Sequence, residues 1–572
     1  MSTADWIVLG FALLAMTAYG IWRGRGSRSV ESFLLADRSL GWGTVALSIM
    51  ATQASAITFT STPGQAFADG MRFLQFYFGL PLAMVILSIT AVPKFHRLGV
   101  YSAYEYLEHR FDAKMRLLGT ALFLLSRGLA TGMTIYAPSL VLSVMLNVDV
   151  RITSVIIGGI VIIVTATGGV KAVNHTHVLQ LSIIMAGMLA AGGVLLALLP
   201  DGVSVTDALS LAGATGKLNT IDFRFDLENR YTFWSGLIGG MFVALAYFGT
   251  DQSQVQRYLT GKSIAQSRLA LLFNGVAKVP MQFFMLLLGV LVYVFFLFAE
   301  PPLFFNPAAA AELKATEHGE AFEALEGEFR QAVGQRREAA EGFVRARHEG
   351  ASGSLSDARS LLVSADQAVE NLRRDASAMI GAYLPAADSS DTNYIFLTFV
   401  LTYLPVGLIG LIFACIFAAS LSSSSGELSA LATISIIDVY RRFVRRDATD
   451  RHYLHASRLF MALWGLYGIA FAQYASRLGS LIEAVNILGS LFYGTMLGIF
   501  LLAFYGRSVG GTATFIGAIA GEVVVVTCFL WTPIAWLWYN VIGCAVVVGV
   551  ALLWTVTTQG REPSSRASEG RI

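Results

Sequence analysis

About thirteen stretches of this chain carry almost no charge and are long enough for the roughly 20 residues of helix that a bilayer core takes, the ninth of them long and broken. They fall near 5–22, 42–66, 72–93, 116–145, 151–168, 175–199, 232–251, 266–298, 393–437, 456–476, 479–506, 509–531 and 534–556. An unsatisfied backbone group in hydrocarbon costs several kcal/mol, so segments of this kind cross as helices. Composition agrees, because 55% hydrophobic and 14% charged residues, with a mean hydropathy of +0.62, exceed what a soluble core can bury. The fold class expected is an all-α polytopic membrane protein. Its formal net charge of +2 is the balance of 40 basic and 38 acidic residues, and points to neither nucleic acid nor an acidic substrate. Cys415, Cys528 and Cys544 lie in apolar segments, with neither a disulfide framework nor a metal-ligand spacing.

Met1 to Trp6 lacks the basic region of a signal peptide and 5–22 lacks a cleavage site, so 5–22 reads as the first span. Orientation follows from Lys and Arg. Arg23, Arg25, Arg28 and Arg38 follow span one, Lys94, Arg97, Arg110, Lys114 and Arg116 follow span three, and Arg441, Arg442, Arg445, Arg446 and Arg451 follow span nine. Those loops are expected in the cytoplasm, which puts the N-terminus outside the inner cell membrane and the tail inside. Residues 300–391 break the pattern. They are abruptly charged, and Phe322, Leu325, Phe329 and Val333, then Leu355, Leu362, Ala365, Val369, Leu372, Ala376 and Met379 repeat at heptad-like spacing around a Gly-Ser turn. An external antiparallel helical hairpin is expected, either a passive insertion in a surface loop or a surface for a protein partner. The chain then divides into a first helix and linker (1–40), two core parts (41–299 and 392–507) around the hairpin (300–391), peripheral helices (508–556) and a tail (557–572).

No metalloprotease motif, phosphate loop or nucleophile elbow is present, which moves transport ahead of catalysis. Span two runs Ala51-Thr-Gln-Ala54-Ser-Ala and on to Pro63-Gly64, and span nine contains Ser422-Ser-Ser-Ser425. Hydroxyls and helix breakers at membrane depth need protein, water or an ion beside them. Two broken helices in two halves of a transporter mark its substrate and ion site, so a break is expected in each of these spans, the second at the serines.

Five further signatures stand in order: Tyr104-Glu-Tyr-Leu107-Glu-His-Arg110-Phe111, Gly168-Gly-Val-Lys-Ala172-Val, Tyr247-Phe-Gly-Thr-Asp-Gln-Ser-Gln-Val-Gln-Arg257-Tyr, Ala418-Ala-Ser-Leu-Ser422-Ser423, and Asp438-Val-Tyr440. With Ala51 to Ala56 they resemble the sodium/solute symporters, which include sodium-coupled glucose, proline, sialic acid, iodide, multivitamin and monocarboxylate carriers. The likeness covers nearly everything except 300–391. It implies a LeuT-like inverted five-plus-five helix repeat over spans two to eleven, working by alternating access. It also implies one main Na+ site, formed by the backbone carbonyls of Ala51, Ala54 and Ala419 and the hydroxyls of Ser422 and Ser423. Members with a second sodium site carry Thr-Asp in the sixth span, where this chain has Thr176-His177, and the downstream hydroxyl positions read Ser425 and Gly426 before Glu427. One sodium is therefore expected. His177 and Glu427 either form a titratable couple or stand apart in a hydrated vestibule.

The resemblance places the solute pocket between broken span two and spans three, seven, eight and eleven. Ile57, Thr58, Tyr77 and Leu80 stand where sugar carriers have polar side chains, which argues against a hexose. Candidate pocket residues are Gln53, Thr58, Gln75, Tyr77, Asp251, Gln252, Lys278 and Asn486. An ammonium inside a span is expensive, so Lys278 either anchors a carboxylate of the solute or pairs with Asp251 or another carboxylate to hold spans together, and Arg127 carries the same two readings. The expected function is a sodium-coupled secondary symporter importing a small polar or anionic organic solute across the lipid bilayer. A transporter-like receptor, marked by a signalling domain, and a uniporter or channel, marked by uncoupled flux, are the alternatives.

Overall fold

The computed structural model describes residues 1–24, 38–53, 55–98, 102–146, 148–350, 352–385, 387–475 and 480–559. The first half contains α1 (Thr3–Gly24), α2 (Trp42–Gln53), α3 (Ala56–Asp69), a 3-10 turn (Gly70–Tyr77), α4 (Leu80–Ile89), α5 (Ala91–Leu98), α6 (Ala103–Arg110), α7 (Ala113–Leu146) and α8 (Val150–Ala197). Next come α9 (Val205–Ala214), a π turn (Ser235–Gly239), α10 (Gly240–Gly249), α11 (Gln252–Leu259) and α12 (Ile264–Phe298). The inserted α13 (Pro307–Lys314), α14 (Gly319–Glu349) and α15 (Ser352–Tyr383) precede α16 (Thr392–Tyr403), α17 (Leu408–Ile434), a π segment (Ser435–Val444), α18 (Asp450–Ala472), α19 (Leu481–Tyr505), α20 (Gly511–Trp531) and α21 (Trp536–Gln559). Among the described residues the β pairing consists of one isolated bridge, Leu40 to Gly261.

Eight described helices are long and apolar enough to cross a membrane by length and composition, with three shorter apolar helices beside them. The expected count of about thirteen is not established by this, because several expected spans are divided differently. Those at 151–168 and 175–199 join in α8, a helix of 48 residues. Span two is split between α2 and α3, with Ser55 in extended backbone ahead of α3. Pro63 and Gly64, read as breakers, lie inside α3 instead. Gly64 is there for packing: a Cβ on it would collide with the Thr392 carbonyl, and one on Gly289 with the Pro63 carbonyl. The bare backbones let α12 and α16 close onto α3.

The break expected at the serines is also displaced. Helix α17 runs unbroken through Ser422–Ser425, and the interruption comes earlier, at 404–407. Pro405 disfavours helical backbone at Leu404, whose ψ is 148°, and Gly407 takes φ 90°, a left-handed region open to glycine. The serines tolerate the helix because their hydroxyls bond to neighbouring elements: Ser420 donates to the Thr134 carbonyl at 3.2 Å, Ser422 to Gln180 Oε1 at 2.6 Å, and Ser425 accepts from Thr165 at 2.8 Å. The second broken helix is α10–α11, interrupted at Thr250 and Asp251.

Helix α1 does more than sit beside the core. Asp5 Oδ1 accepts the backbone N–H groups of Gly407 at 2.7 Å and Gly410 at 3.3 Å, so a carboxylate from another helix caps α17. Oδ2 takes the Ser2 N–H and hydroxyl at 2.9 and 2.8 Å. A lost cap costs about 0.5–2 kcal/mol, so Asp5→Ala is expected to lower the thermal midpoint of the purified protein. An unchanged midpoint would show that α17 does not depend on the cap.

The inserted segment folds as a hairpin, with Gly350 left-handed (φ 72°) at its turn and Phe322, Phe329, Val333, Val369, Ala376 and Ile380 buried between its arms and α13. It is bonded to the body at several points. Arg336 donates to the Phe296 carbonyl at 3.0 Å and pairs with Asp366, Lys217 reaches Glu370 at 2.9 Å, and Arg373 meets Asp391 at 2.8 Å, while Arg347 pairs with Asp207.

Candidate solute and ion site

Both broken helices open onto one cavity of about 140 Å³, closed by α4, α7, α12, α17 and α19. The end of α2 leaves carbonyls without helical partners. Thr58, on α3, donates to the Gln53 carbonyl at 2.8 Å, and the Ser423 hydroxyl donates to the Thr52 carbonyl at 3.5 Å. Thr52 and Ser423 also line the cavity, so the serine helix meets the broken helix at the cavity wall. Of the expected sodium ligands, Ser423 is placed there, Ala51 and Ala419 are buried on the two facing helices, and Ser422 is turned toward Gln180. Ala54 lies outside the described residues.

Gln53, Thr58, Tyr77, Lys278 and Asn486 line the cavity as expected of pocket residues. Three others do not. Gln75 is spent on the Tyr231 carbonyl at 2.9 Å and the Asp222 N–H at 2.9 Å. Gln252 accepts the Ala103 N–H at 3.0 Å, and Asp251 caps α11 through the Ser253 N–H at 2.9 Å. Each satisfies backbone where a helix starts or a loop turns, which is why a buried polar side chain there carries no message about a solute.

The charges sort differently from the sequence expectation. Asp251 pairs with Arg127, not with Lys278. Arg127 NH1 also bonds Glu427 Oε1 at 3.0 Å and NH2 donates to the Tyr493 hydroxyl at 3.1 Å, with the Tyr247 ring 5.4 Å from its guanidinium. Glu427 takes a further bond from Thr134 at 2.9 Å. The couple of His177 with Glu427 is therefore not formed: Glu427 is satisfied by Arg127 and Thr134, and His177 Nδ1 meets the Ser48 hydroxyl at 3.0 Å. Tyr247, Tyr493 and Phe248 line the cavity without having been expected.

Lys278 is left over. Its side chain is 1% exposed and lines the cavity. Among the described residues it has no hydrogen-bond or ion-pair partner, only the face of Tyr77 at 5.5 Å. Gln53, by contrast, is held to Asn274 at 3.0 Å and Asn486 to the Ile482 carbonyl at 2.6 Å. Among the described residues the ammonium is thus a charged group of the wall without an ion-pair partner, whereas Arg127 and Glu427 in the same wall are paired.

The sequence profile of the sodium:solute symporter family matches residues 33–326 and 375–521. The chain belongs to the sodium:solute symporter family. Among relatives, the human sodium/iodide cotransporter is 36% identical over 304 residues, 52% of this chain and 46% of its own length. Sodium-coupled monocarboxylate transporter 1 of Xenopus laevis is 26% identical over 523 residues, 91% of this chain and 71% of its own. A substrate-bound, outward-open structure of a Na+-coupled sialic acid symporter superposes with a TM-score of 0.73 at 22% identity, covering 98% of this chain and 99% of that one. The fold is accordingly the LeuT-like inverted repeat, with α2–α3 and α10–α11 as its two broken helices. As a sodium:solute symporter this multi-pass membrane protein is a sodium-coupled transporter and not an enzyme. Residues 327–374 of the hairpin fall outside the family profile.

Proposed function

We propose that this sodium symporter carries a small organic anion whose negative group rests on Lys278. The observation that carries the reading is the buried ammonium in the cavity wall, without a counter-ion among the described residues. Buried charges are expensive unless paired, and an anionic cargo supplies the pair. Size supports it: a cavity of about 140 Å³ is close to the roughly 150 Å³ that holds one benzene, which suits a solute of few heavy atoms. Relatives whose names give iodide, monocarboxylates and sialic acid as cargo agree in sign.

The co-transported Na+ is assigned to the carbonyls of Ala51, Ala54 and Ala419 with the hydroxyls of Ser422 and Ser423, oxygen ligands that suit a hard cation. The meeting of Ser423 with the Thr52 carbonyl supports this placement. Sodium there would hold α2 against α17, favouring the form that binds solute, and linkage requires the solute to tighten sodium equally. The basic loops support a cytoplasmic C-terminus and an outer hairpin. The test is uptake of labelled small monocarboxylates into proteoliposomes with and without a sodium gradient. Uptake in wild type should require sodium, and Ser422→Ala with Ser423→Ala should raise the sodium concentration for half-maximal uptake by about tenfold or more. Wild-type sodium dependence in the double variant would remove the ion assignment while leaving the anion assignment standing.

A further inference from the structure

On the hairpin side of the molecule a second cavity, of about 420 Å³, lies between α7, the start of α8, α13 and the start of α16. It shares no lining residue with the central cavity. Three carboxylates line it: Asp149 and Glu312, both exposed, and Asp388, 5% exposed. Among the described residues none of the three has an ion-pair partner. Asp149 accepts the Arg151 N–H at 2.7 Å and Asp388 the Ser390 N–H at 2.9 Å; Arg151 also lines the cavity, with its side chain exposed. Tyr136, 1% exposed, also lines it, and among the described residues its hydroxyl has no hydrogen-bond partner. Tyr394 adds a second ring.

These features call for a cation. Burial, with the charge of Asp391 added, pushes the Asp388 carboxyl up to about 8 against the Ser390 bond, so its ionised form gains most from a positive guest. A buried orphan hydroxyl is ready to accept an N–H, and two tyrosine faces favour ammonium. Among the described residues no three acidic, His or Cys groups come close enough to share one metal ion. The volume instead falls in the range of about 300–1,000 Å³ typical of small-molecule sites.

We propose that this cavity binds an aliphatic diamine, one ammonium on Asp388 and the Tyr136 hydroxyl, the other between Asp149 and Glu312. The site lies apart from the transported solute, and much of its wall comes from the insertion and its flanks. Calorimetric titration of the purified full chain with putrescine should show saturable binding. Asp388→Asn should weaken it by about tenfold or more, the scale of a lost charge-assisted contact. The exposed and structurally mild Glu312→Gln should weaken putrescine but leave the single-charge probe butylamine unaffected, and Lys278→Met should bind as wild type. Absence of saturable binding, equal binding of butylamine or Mg2+, or putrescine affinity unchanged in both carboxyl variants would overturn the proposal.

Discussion

Replacing Arg127 with methionine is expected to cost the purified protein about 3–5 kcal/mol, the scale for removing one partner from a buried ion pair. The substitution strands two carboxylates at once. Asp251 sits at the break between α10 and α11, and Glu427 is on α17, so the guanidinium on α7 ties the broken helix to the serine helix. Loss of that tie should show as a lower thermal midpoint in detergent and as loss of uptake in proteoliposomes. Adding Asp251→Asn and Glu427→Gln to the methionine variant should recover most of the midpoint, since neutral amides of the same shape remove the stranded charge. Recovery of stability without recovery of uptake would separate holding the fold from moving through the cycle. If Arg127→Met melts with wild type, the pairs contribute nothing and the network account fails.

Replacing Lys278 with methionine should act in the opposite direction on stability. An unpaired ammonium at the centre of a span is penalised by roughly 2.5–3.5 kcal/mol on insertion scales, and methionine fills similar space without charge. The expected result is a thermal midpoint equal to or above wild type together with at least a tenfold loss of anion uptake. Lys278→Arg keeps the charge but changes its reach, and should retain sodium-dependent uptake with altered selectivity. A lysine whose role was only to hold helices together would give the reverse pattern, a fallen midpoint. Uptake at wild-type rates in Lys278→Met would end the anchoring role.

The all-helical membrane class and the inserted hairpin could be read from residue order because long apolar stretches and heptad-like spacing are local patterns. Polar residues at membrane depth were harder. Ser422–Ser425 and Pro63-Gly64 look like helix breakers along the chain, yet both lie in unbroken helix, because small size also serves close packing and cross-helix bonding. The true interruption at 404–407 does carry a local sign, Pro405 followed two residues later by Gly407. The sorting of Asp251 to Arg127 rather than Lys278 depends on which side chains of distant spans face each other. Residues 124 positions apart meet in the first pair and 300 apart in the Glu427 pair, and no spacing rule reaches so far. Gln75 and Gln252 misled for a related reason: backbone groups freed at turns need partners, and sequence does not say which glutamine supplies them.

The gap between α16 and α17 also isolates two kinds of load. One of the hairpin's attachments reaches the start of α16, through Arg373 on Asp391 just before its first residue. The first turn of the serine helix is capped from the other side by α1, through Asp5. With proline and glycine at the junction, a displacement of α16 is expected to be taken up as backbone rotation at 404–407 before it reaches Ser422 and Ser423. Such a joint would let the chain ahead of α17 lengthen, shorten or tilt while the serine helix keeps its spacing to α2.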